Sequence, residues 1–211
     1  MKLKKLAYWT GLSQADGWMK RNKSSFLIEI ESIDFILIKR FQTISKEIFN
    51  SKSSIFKRNK KDVWSCKIGI TKLIPMFEKN KIYFSDPPMP PKIFCENDKL
   101  FGSYLAGIID GDGDVRIKRP KYPQCTIRIS SGKFPKDLSI SIKERLKCST
   151  LITKRSRVSK IGNRKIYGTW YELEFYISSK NAEFIKKYVL PNLILERKSN
   201  KIRNFLTIRE F

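Results

Sequence analysis

Apolar and polar positions along this chain switch repeatedly between helical and strand spacing, and the order of the switches occurs twice. Around residues 4–15, Leu3, Leu6, Ala7, Thr10 and Gly11 fall near one face at helical spacing, which predicts a helix. The segment Phe26-Leu27-Ile28-Glu29-Ile30-Glu31-Ser32 alternates with a period of two and predicts a strand. Asp34 stands where an N-cap belongs, ahead of an amphipathic helix reaching about Phe49. Strands are predicted over 54–58 and 63–70 around the charged turn Asn59-Lys60-Lys61-Asp62, followed by a short helix over 71–78. The run Ser85-Asp86-Pro87-Pro88-Met89-Pro90-Pro91 then ends the pattern, because four prolines in seven residues suit neither helix nor central strand. It reads as a semi-rigid, extended linker.

After the prolines the order restarts. A helix is predicted over 98–111, strands over 115–118 and 124–130, and a helix from Pro135 to Leu146. Strands over 151–158 and 166–177 follow, then helical segments over 181–189 and 198–206. Counting the strand that carries Lys20, Asn22 and Ser24 after the first helix, both halves read helix, strand, strand, helix, strand, strand, helix. The expected fold is α+β, with two pseudo-symmetric αββαββα subdomains over 1–84 and 98–211 joined by a linker over 85–97.

A short string marks the repeat at residue level. Gly11-Leu12-Ser13-Gln14-Ala15-Asp16-Gly17 and Gly107-Ile108-Ile109-Asp110-Gly111-Asp112-Gly113 lie 96 positions apart. Gly11 and Ala15 are one helical turn apart, as are Gly107 and Gly111, and small residues at that spacing let another helix backbone approach closely. Packing the two repeated helices together would place Asp16 and Asp112 side by side at their C-terminal ends. That is a poor place for carboxylates, since the helix end carries partial negative charge and two acids repel. A divalent cation resolves both problems, and carboxylate and carbonyl oxygens suit Mg²⁺. Gly17 and Gly113 are expected to end the helices with positive φ. Taken singly, each Asp-Gly is no more than a helix-ending turn; the matched pair carries the metal reading.

Charge indicates the partner. The 211 residues contain 44 Lys and Arg against 20 Asp and Glu, a formal net charge of +24, which points to a polyanion and most directly to nucleic acid. A membrane surface is the weaker competitor, because no apolar run approaches the ~20 residues of a span and the amino terminus is not a secretory signal. The chain contains no histidine, which removes Ser-His-Asp and Cys-His catalysis, His-ligated zinc and imidazole-based nucleases. No glycine-rich phosphate loop supports nucleotide hydrolysis. Four isolated cysteines at 66, 95, 125 and 148 read as reduced thiols, hence an intracellular, reducing compartment.

Carboxylate-held Mg²⁺ in so basic a chain suggests phosphodiester hydrolysis. The strands after each repeated helix carry candidate DNA contacts: Lys20, Asn22 and Ser24 in the first half, and Arg116, Lys118, Gln124, Thr126 and Arg128 in the second. The later strands add Lys57, Arg58, Lys60 and Lys61, then Thr153, Lys154, Arg155 and Arg157. Alternate side chains of a strand face one way, so a twisted sheet can lay such residues along a major groove. Arg reads guanine, Gln and Asn read adenine, and Lys chiefly holds phosphate.

The string Leu105-Ala106-Gly107-Ile108-Ile109-Asp110-Gly111-Asp112-Gly113 resembles the LAGLIDADG motif of homing endonucleases, with Ile108 for Leu and Gly111 for Ala. Trp9-Thr10-Gly11-Leu12-Ser13-Gln14-Ala15-Asp16-Gly17 is similar but degenerate, keeping the glycines and the carboxylate while carrying Gln14 where Asp110 stands. Two motifs in one chain resemble the monomeric branch of that family. The resemblance implies saddle-shaped antiparallel sheets over DNA and metal-dependent cutting of both strands of a long, non-palindromic site, with short 3′ overhangs. It implies Asp16 and Asp112 as metal ligands, assisted by the carbonyls of Ala15 and Gly111. Mg²⁺ is the expected cofactor, with Ca²⁺ expected to support binding without cleavage.

The resemblance also implies a basic residue near each metal. Glu196-Arg197-Lys198, followed by Ile202 and Phe205, is similar to the family segment that supplies it, which singles out Lys198. In the first half Lys81 and Lys92 both qualify. An intron-encoded DNA endonuclease is the leading function; an intron RNA maturase of the same fold and a non-catalytic DNA-binding regulator are the alternatives. Abundant Lys, Ile, Asn and Phe suit an AT-rich genome such as that of a mitochondrion or chloroplast, with a prokaryotic cytoplasm as the other setting.

Overall fold

Two long helices cross at the centre of the computed structural model, which describes residues 2–21, 26–58, 62–70, 74–84, 86–119, 121–161 and 164–210. They are α1 (Lys2–Asp16) and α5 (Asp98–Asp112), related by the 96-residue repeat. Both are buried on every side over much of their length, from Leu6 to Gln14 and from Phe101 to Asp110. Such helices belong to the middle of a core rather than its edge.

The small residues set how closely they approach. A Cβ added at Gly11 would lie 2.1 Å from the Tyr104 carbonyl oxygen, and one at Gly107 would lie 2.2 Å from that of Tyr8. One at Gly111 would come within 2.6 Å of the Ala15 Cβ. Gly11 and Gly107 therefore each face the other helix's backbone, and these two contacts are reciprocal. Ser103 adds a hydrogen bond, its Oγ donating to the Lys4 carbonyl at 2.9 Å.

Around this pair the halves repeat. The first runs α1, β1 (Gly17–Arg21), β2 (Phe26–Ser32), α2 (Phe35–Phe49), β3 (Ser53–Lys57), β4 (Trp64–Ile70) and α3 (Ile74–Lys79). A short helix α4 (Lys92–Cys95) precedes α5, and then come β5 (Gly113–Lys118), β6 (Gln124–Ser131), α6 (Lys136–Leu146), β7 (Thr150–Ile161), β8 (Arg164–Tyr176), α7 (Ser179–Phe184) and α8 (Glu196–Ile208). The sheets are antiparallel, with strand orders β1-β2-β4-β3 and β5-β6-β8-β7. A helix between the second and third strands carries the chain across, which leaves the third strand at an edge. The α+β expectation with two repeated halves is met.

The core lies on one face of each sheet, against the helices. Phe26, Ile28, Ile30, Cys66 and Ile68 face it in the first half, and Cys125, Ile127, Ile129, Leu173 and Phe175 in the second. Helix α2 buries Leu37, Ile38, Phe41 and Ile44 at helical spacing. Trp9 links helix and core: its ring stacks on Phe41 at 5.4 Å and its Nε1 donates to Ser45 Oγ at 2.8 Å.

Several local expectations change. Helix α1 includes Asp16, and the glycines after the motif do not end the helices with positive φ. Gly113 begins β5 with φ −79° and ψ 141°. Glycine is needed there sterically, since a Cβ would lie 2.4 Å from the Ile109 carbonyl, and one at Gly17 would lie 2.0 Å from that of Ser13. Asp34 occupies the N-cap position of α2 without a side-chain cap; its carboxylate accepts instead from Arg197 at 2.7 Å. The proline segment packs against the fold, with Pro88, Pro90 and Pro91 buried. Strands β7 and β8 are longer than predicted, at 12 and 13 residues. Among the described residues no helix is long and apolar enough to cross a membrane.

The helix crossing is directly testable. Gly107→Ala should lower stability on the order of 3 kcal/mol, a drop in Tm of roughly 10 °C, because the Cβ meets backbone that cannot rotate away. Gly69→Ala, where an added Cβ meets nothing within 4 Å, should leave Tm nearly unchanged. Thermal melts of the two variants beside the parent chain decide the point.

Candidate active site and nucleic-acid interface

Asp16 and Asp112 are the last residues of α1 and α5, so the helix crossing brings both carboxyls to one place. A Cβ built at Gly111 would lie 3.4 Å from Asp16 Oδ2, which puts the first acid against the second motif. Burial pushes the Asp16 carboxyl up to about 6, opposed by Lys198 and reinforced by Asp34 and Asp110. Burial and then the charge of Asp16 push Asp112 up to about 7, with Lys198 opposing. Two acids held this far above their ordinary range suit a site completed by a cation.

Lys198 enters this site from α8. It is buried, and its Nζ donates to the carbonyls of Ile109, Asp110 and Gly111 at 2.6, 2.8 and 3.2 Å. These carbonyls lie in the last turn of α5, so the ammonium sits where the helix dipole favours a cation. Burial still lowers its pKa to about 8, against the attraction of Asp110. The Gly111 carbonyl thus already has a partner, so the carbonyls of Ala15 and Gly111 differ as ligands.

The first half offers no matching ammonium among the described residues. A cleft of about 270 Å³ beside Asp112 is lined by Ser13, Gln14, Ala15, Gly17, Phe84, Asp86, Ser131 and Gly132. Lys81 and Lys92 do not line it; both are exposed. A third acid stands there instead. Asp86 accepts from Ser131 Oγ at 2.7 Å and from the Gly132 amide at 3.2 Å, and its charge helps raise Asp112. Its place among prolines gave no sequence signal. Among the described residues no group of three or more Cys, Asp or Glu is arranged to hold a metal ion. The donor set of two carboxylates and neighbouring carbonyls fits Mg²⁺, which keeps several waters and takes few protein ligands.

On the other face of the sheets lie the charged residues. Arg116, Lys118, Gln124, Thr126 and Arg128 share one face of β5 and β6, paired across the strands as Arg116 with Thr126 and Lys118 with Gln124. Thr126 is fully buried beneath its neighbours on that face, so it presents little to a ligand. Arg155 and Arg157 continue the face on β7, and Thr153 is half-buried beside them. Lys154 pairs with Tyr171 and so points to the opposite side, as the two-residue period requires. Lys57 likewise shares parity with the core residue Ile55; its Nζ lies over Trp64 and pairs with Asp62 at 2.8 Å. Lys20 and Arg58 are exposed. Asn22, Ser24, Lys60 and Lys61 lie outside the described residues.

Acids set among these bases were not anticipated. Glu29 takes Arg58 at 3.0 Å, while Arg128 is held between Glu172 at 3.1 Å and Glu174 at 3.0 Å. Hydrogen bonds from Tyr176, Arg128 and Lys118 hold the Glu174 carboxyl below its usual range despite the opposing cost of burial. The bases are thus fixed in orientation before any ligand arrives. Trp18, 55% exposed, adds an aromatic surface next to Asp16 in a cleft of about 620 Å³.

The raised acids imply a pH dependence with a definite sign. Between about pH 4 and 7 the folded chain keeps a proton on Asp112 that the unfolded chain has lost, so this group's contribution to stability falls as pH rises through that window. Asn cannot ionise and keeps that stability. The full rise in pKa corresponds to about 4 kcal/mol, and solvent at the half-buried side chain screens it to about half. Without divalent metal, Asp112→Asn should therefore melt roughly 4–8 °C above the parent at pH 8, with the two converging near pH 4. Added Mg²⁺ should raise the parent's Tm and leave the variant's nearly unchanged.

No protein-family model matches the sequence, and comparison with curated proteins gives no significant match. Solved structures do resemble it. I-DmoI in complex with DNA and Ca superposes with a TM-score of 0.60 at 16% identity, over 96% of this chain and 98% of that one. The I-LtrWI LAGLIDADG homing endonuclease bound to target DNA gives 0.57 at 17%, over 99% and 91%. Full-length DUF199/WhiA from Thermatoga maritima gives 0.57 at 16%, over 99% of this chain but 61% of that longer one. At such identities the likeness shows the fold alone, and that fold is the LAGLIDADG arrangement of two four-stranded antiparallel sheets.

Proposed function

We propose that this chain is a divalent-metal-dependent, site-specific endonuclease that cuts both strands of a long, non-palindromic DNA site and leaves short 3′ overhangs. The observation that carries the proposal is the convergence of Asp16 and Asp112, both raised by burial, at the ends of two crossed helices. Each acid follows directly into a sheet bearing oriented bases. Both come from one chain, so a monomer suffices. The solved structures of the same fold that carry target DNA support the choice of ligand.

A divalent cation held by Asp16 and Asp112, with the Ala15 and Gly111 carbonyls adjacent, would lower the pKa of bound water and neutralise charge on the leaving oxygen. The chain's own groups prepare that chemistry. Burial keeps the carboxylates from being screened by bulk water. Lys198, whose three hydrogens are spent on carbonyls of α5, keeps a positive charge beside Asp16 that offsets the carboxylates and would attract a phosphate at a distance. The bases on β5, β6 and β7 position the duplex through phosphate and base contacts.

Asp16→Asn and Asp112→Asn should each reduce double-strand cleavage by roughly 10³-fold, assayed on duplexes recovered from a randomised library or on an intronless insertion site in Mg²⁺. Gel shifts in Ca²⁺ should show binding within a few-fold of the parent. Cutting at the parent rate by either variant would refute the two-acid mechanism, and tight intron-RNA binding without any DNA cleavage would favour the maturase. The log of the DNA affinity should fall with log salt at a slope of about −5 or steeper, as six or more phosphate contacts would give. A flat response would contradict the assigned surface.

A further inference from the structure

The repeat that relates Asp16 to Asp112 also relates Tyr8 to Tyr104 and Gln14 to Asp110. Each tyrosine reaches across to the other helix. The Tyr8 hydroxyl donates to Asp110 Oδ2 at 2.9 Å, and the Tyr104 hydroxyl donates to Gln14 Oε1 at 2.5 Å. Beyond this shared contact the two environments are opposite in polarity. Asp110 also accepts from the amides of Ile194 and Leu195, at 2.8 and 3.1 Å. It is surrounded by donors. Gln14 spends both hydrogens of its amide on carbonyls, those of Tyr83 at 2.5 Å and Met89 at 3.0 Å. Only an amide can accept from the tyrosine and donate to two carbonyls at once.

The chain segments held in this way carry the groups that differ between the two sides of the site. Leu195 precedes α8, whose first turn closes when the Lys198 amide donates to the Leu195 carbonyl at 2.9 Å. Asp110 therefore fixes where Lys198 enters. Asp86 lies between Tyr83 and Met89, so Gln14 fixes the segment that sets Asp86 in the cleft beside Asp112.

We infer that Gln14 and Asp110 are complementary positioning residues, and that Gln14 is required by the carbonyls it holds rather than being a decayed copy of the motif acid. The inference rests on the nuclease reading above for its catalytic consequence, though not for its structural one. An acid at 14 would set a charged oxygen against two carbonyls in a buried place, with no hydrogen to give them. Making the first motif resemble the second should thus harm the protein.

The test uses Gln14→Glu, Gln14→Met and Asp110→Asn. Melting temperatures should fall in the order parent, Gln14→Met, Gln14→Glu; a Gln14→Glu chain as stable as the parent overturns the inference. Cleavage in Mg²⁺ is then followed separately on both labelled strands of a duplex that the parent cuts. Gln14→Met and Gln14→Glu should slow one strand by roughly tenfold more than the other, and Asp110→Asn should slow the opposite strand more. Equal slowing of both strands, or the same strand for all variants, reduces these residues to structural supports and refutes the positioning role. If Gln14→Glu does not fold, the strand ratio is read on Gln14→Met, which adds no charge. If the parent cuts no DNA, the nuclease reading fails, while the melting order still decides the clamp.

Discussion

Everything in this molecule depends on how closely two helix backbones approach. Gly11 and Gly107 each lie against the other helix's carbonyl, at a distance where an added Cβ would fall about 2 Å from oxygen. Dispersion between two close backbones over a long buried crossing offsets the conformational cost of glycine in a helix, about 1 kcal/mol each. The reciprocity of the contact imposes the approximate two-fold symmetry. Both sheets, both acids and both tyrosine contacts then follow from one crossing.

The same crossing creates an electrostatic problem and places the means of solving it nearby. Two carboxyls are driven together at the helix ends that disfavour them, and burial raises both. Lys198 relieves part of this by capping the last turn of α5. The repulsion that remains costs stability, because the two raised carboxyls stay buried beside each other.

The symmetry is broken where the chain has to connect. In the second half α8 delivers a lysine, whereas the first half continues through the proline segment and delivers Asp86 instead. Gln14 and Asp110 match that difference, an amide facing carbonyls and a carboxylate facing amides. A departure that looks like decay in the motif is a local fit to the backbone it meets.

Much of this was legible in the residues themselves. Periodicity located most elements, though neither β1 nor α4, since burying one face of a strand or helix leaves its period in the sequence. The 96-residue spacing identified Asp16 and Asp112, and applied to Tyr8 and Tyr104 it would have found the crossed hydrogen bonds as well. Strand parity could also have separated Lys57 and Lys154 from their neighbours, had the register been known. Other features have no sequence signal. Asp86 meets Ser131 and Gly132 only once the proline segment packs against the second half, Arg197 draws Asp34 from its cap across 163 positions, and Glu172 and Glu174 meet Arg128 only once β6 and β8 pair. Local periodicity determined the elements, because burying one face depends on near neighbours, and recurrence of one string 96 positions on determined the repeat and the two acids. Tertiary structure decided the charge state of the acids and the unequal company each keeps, because burial and long-range pairing exist only once the chain has folded.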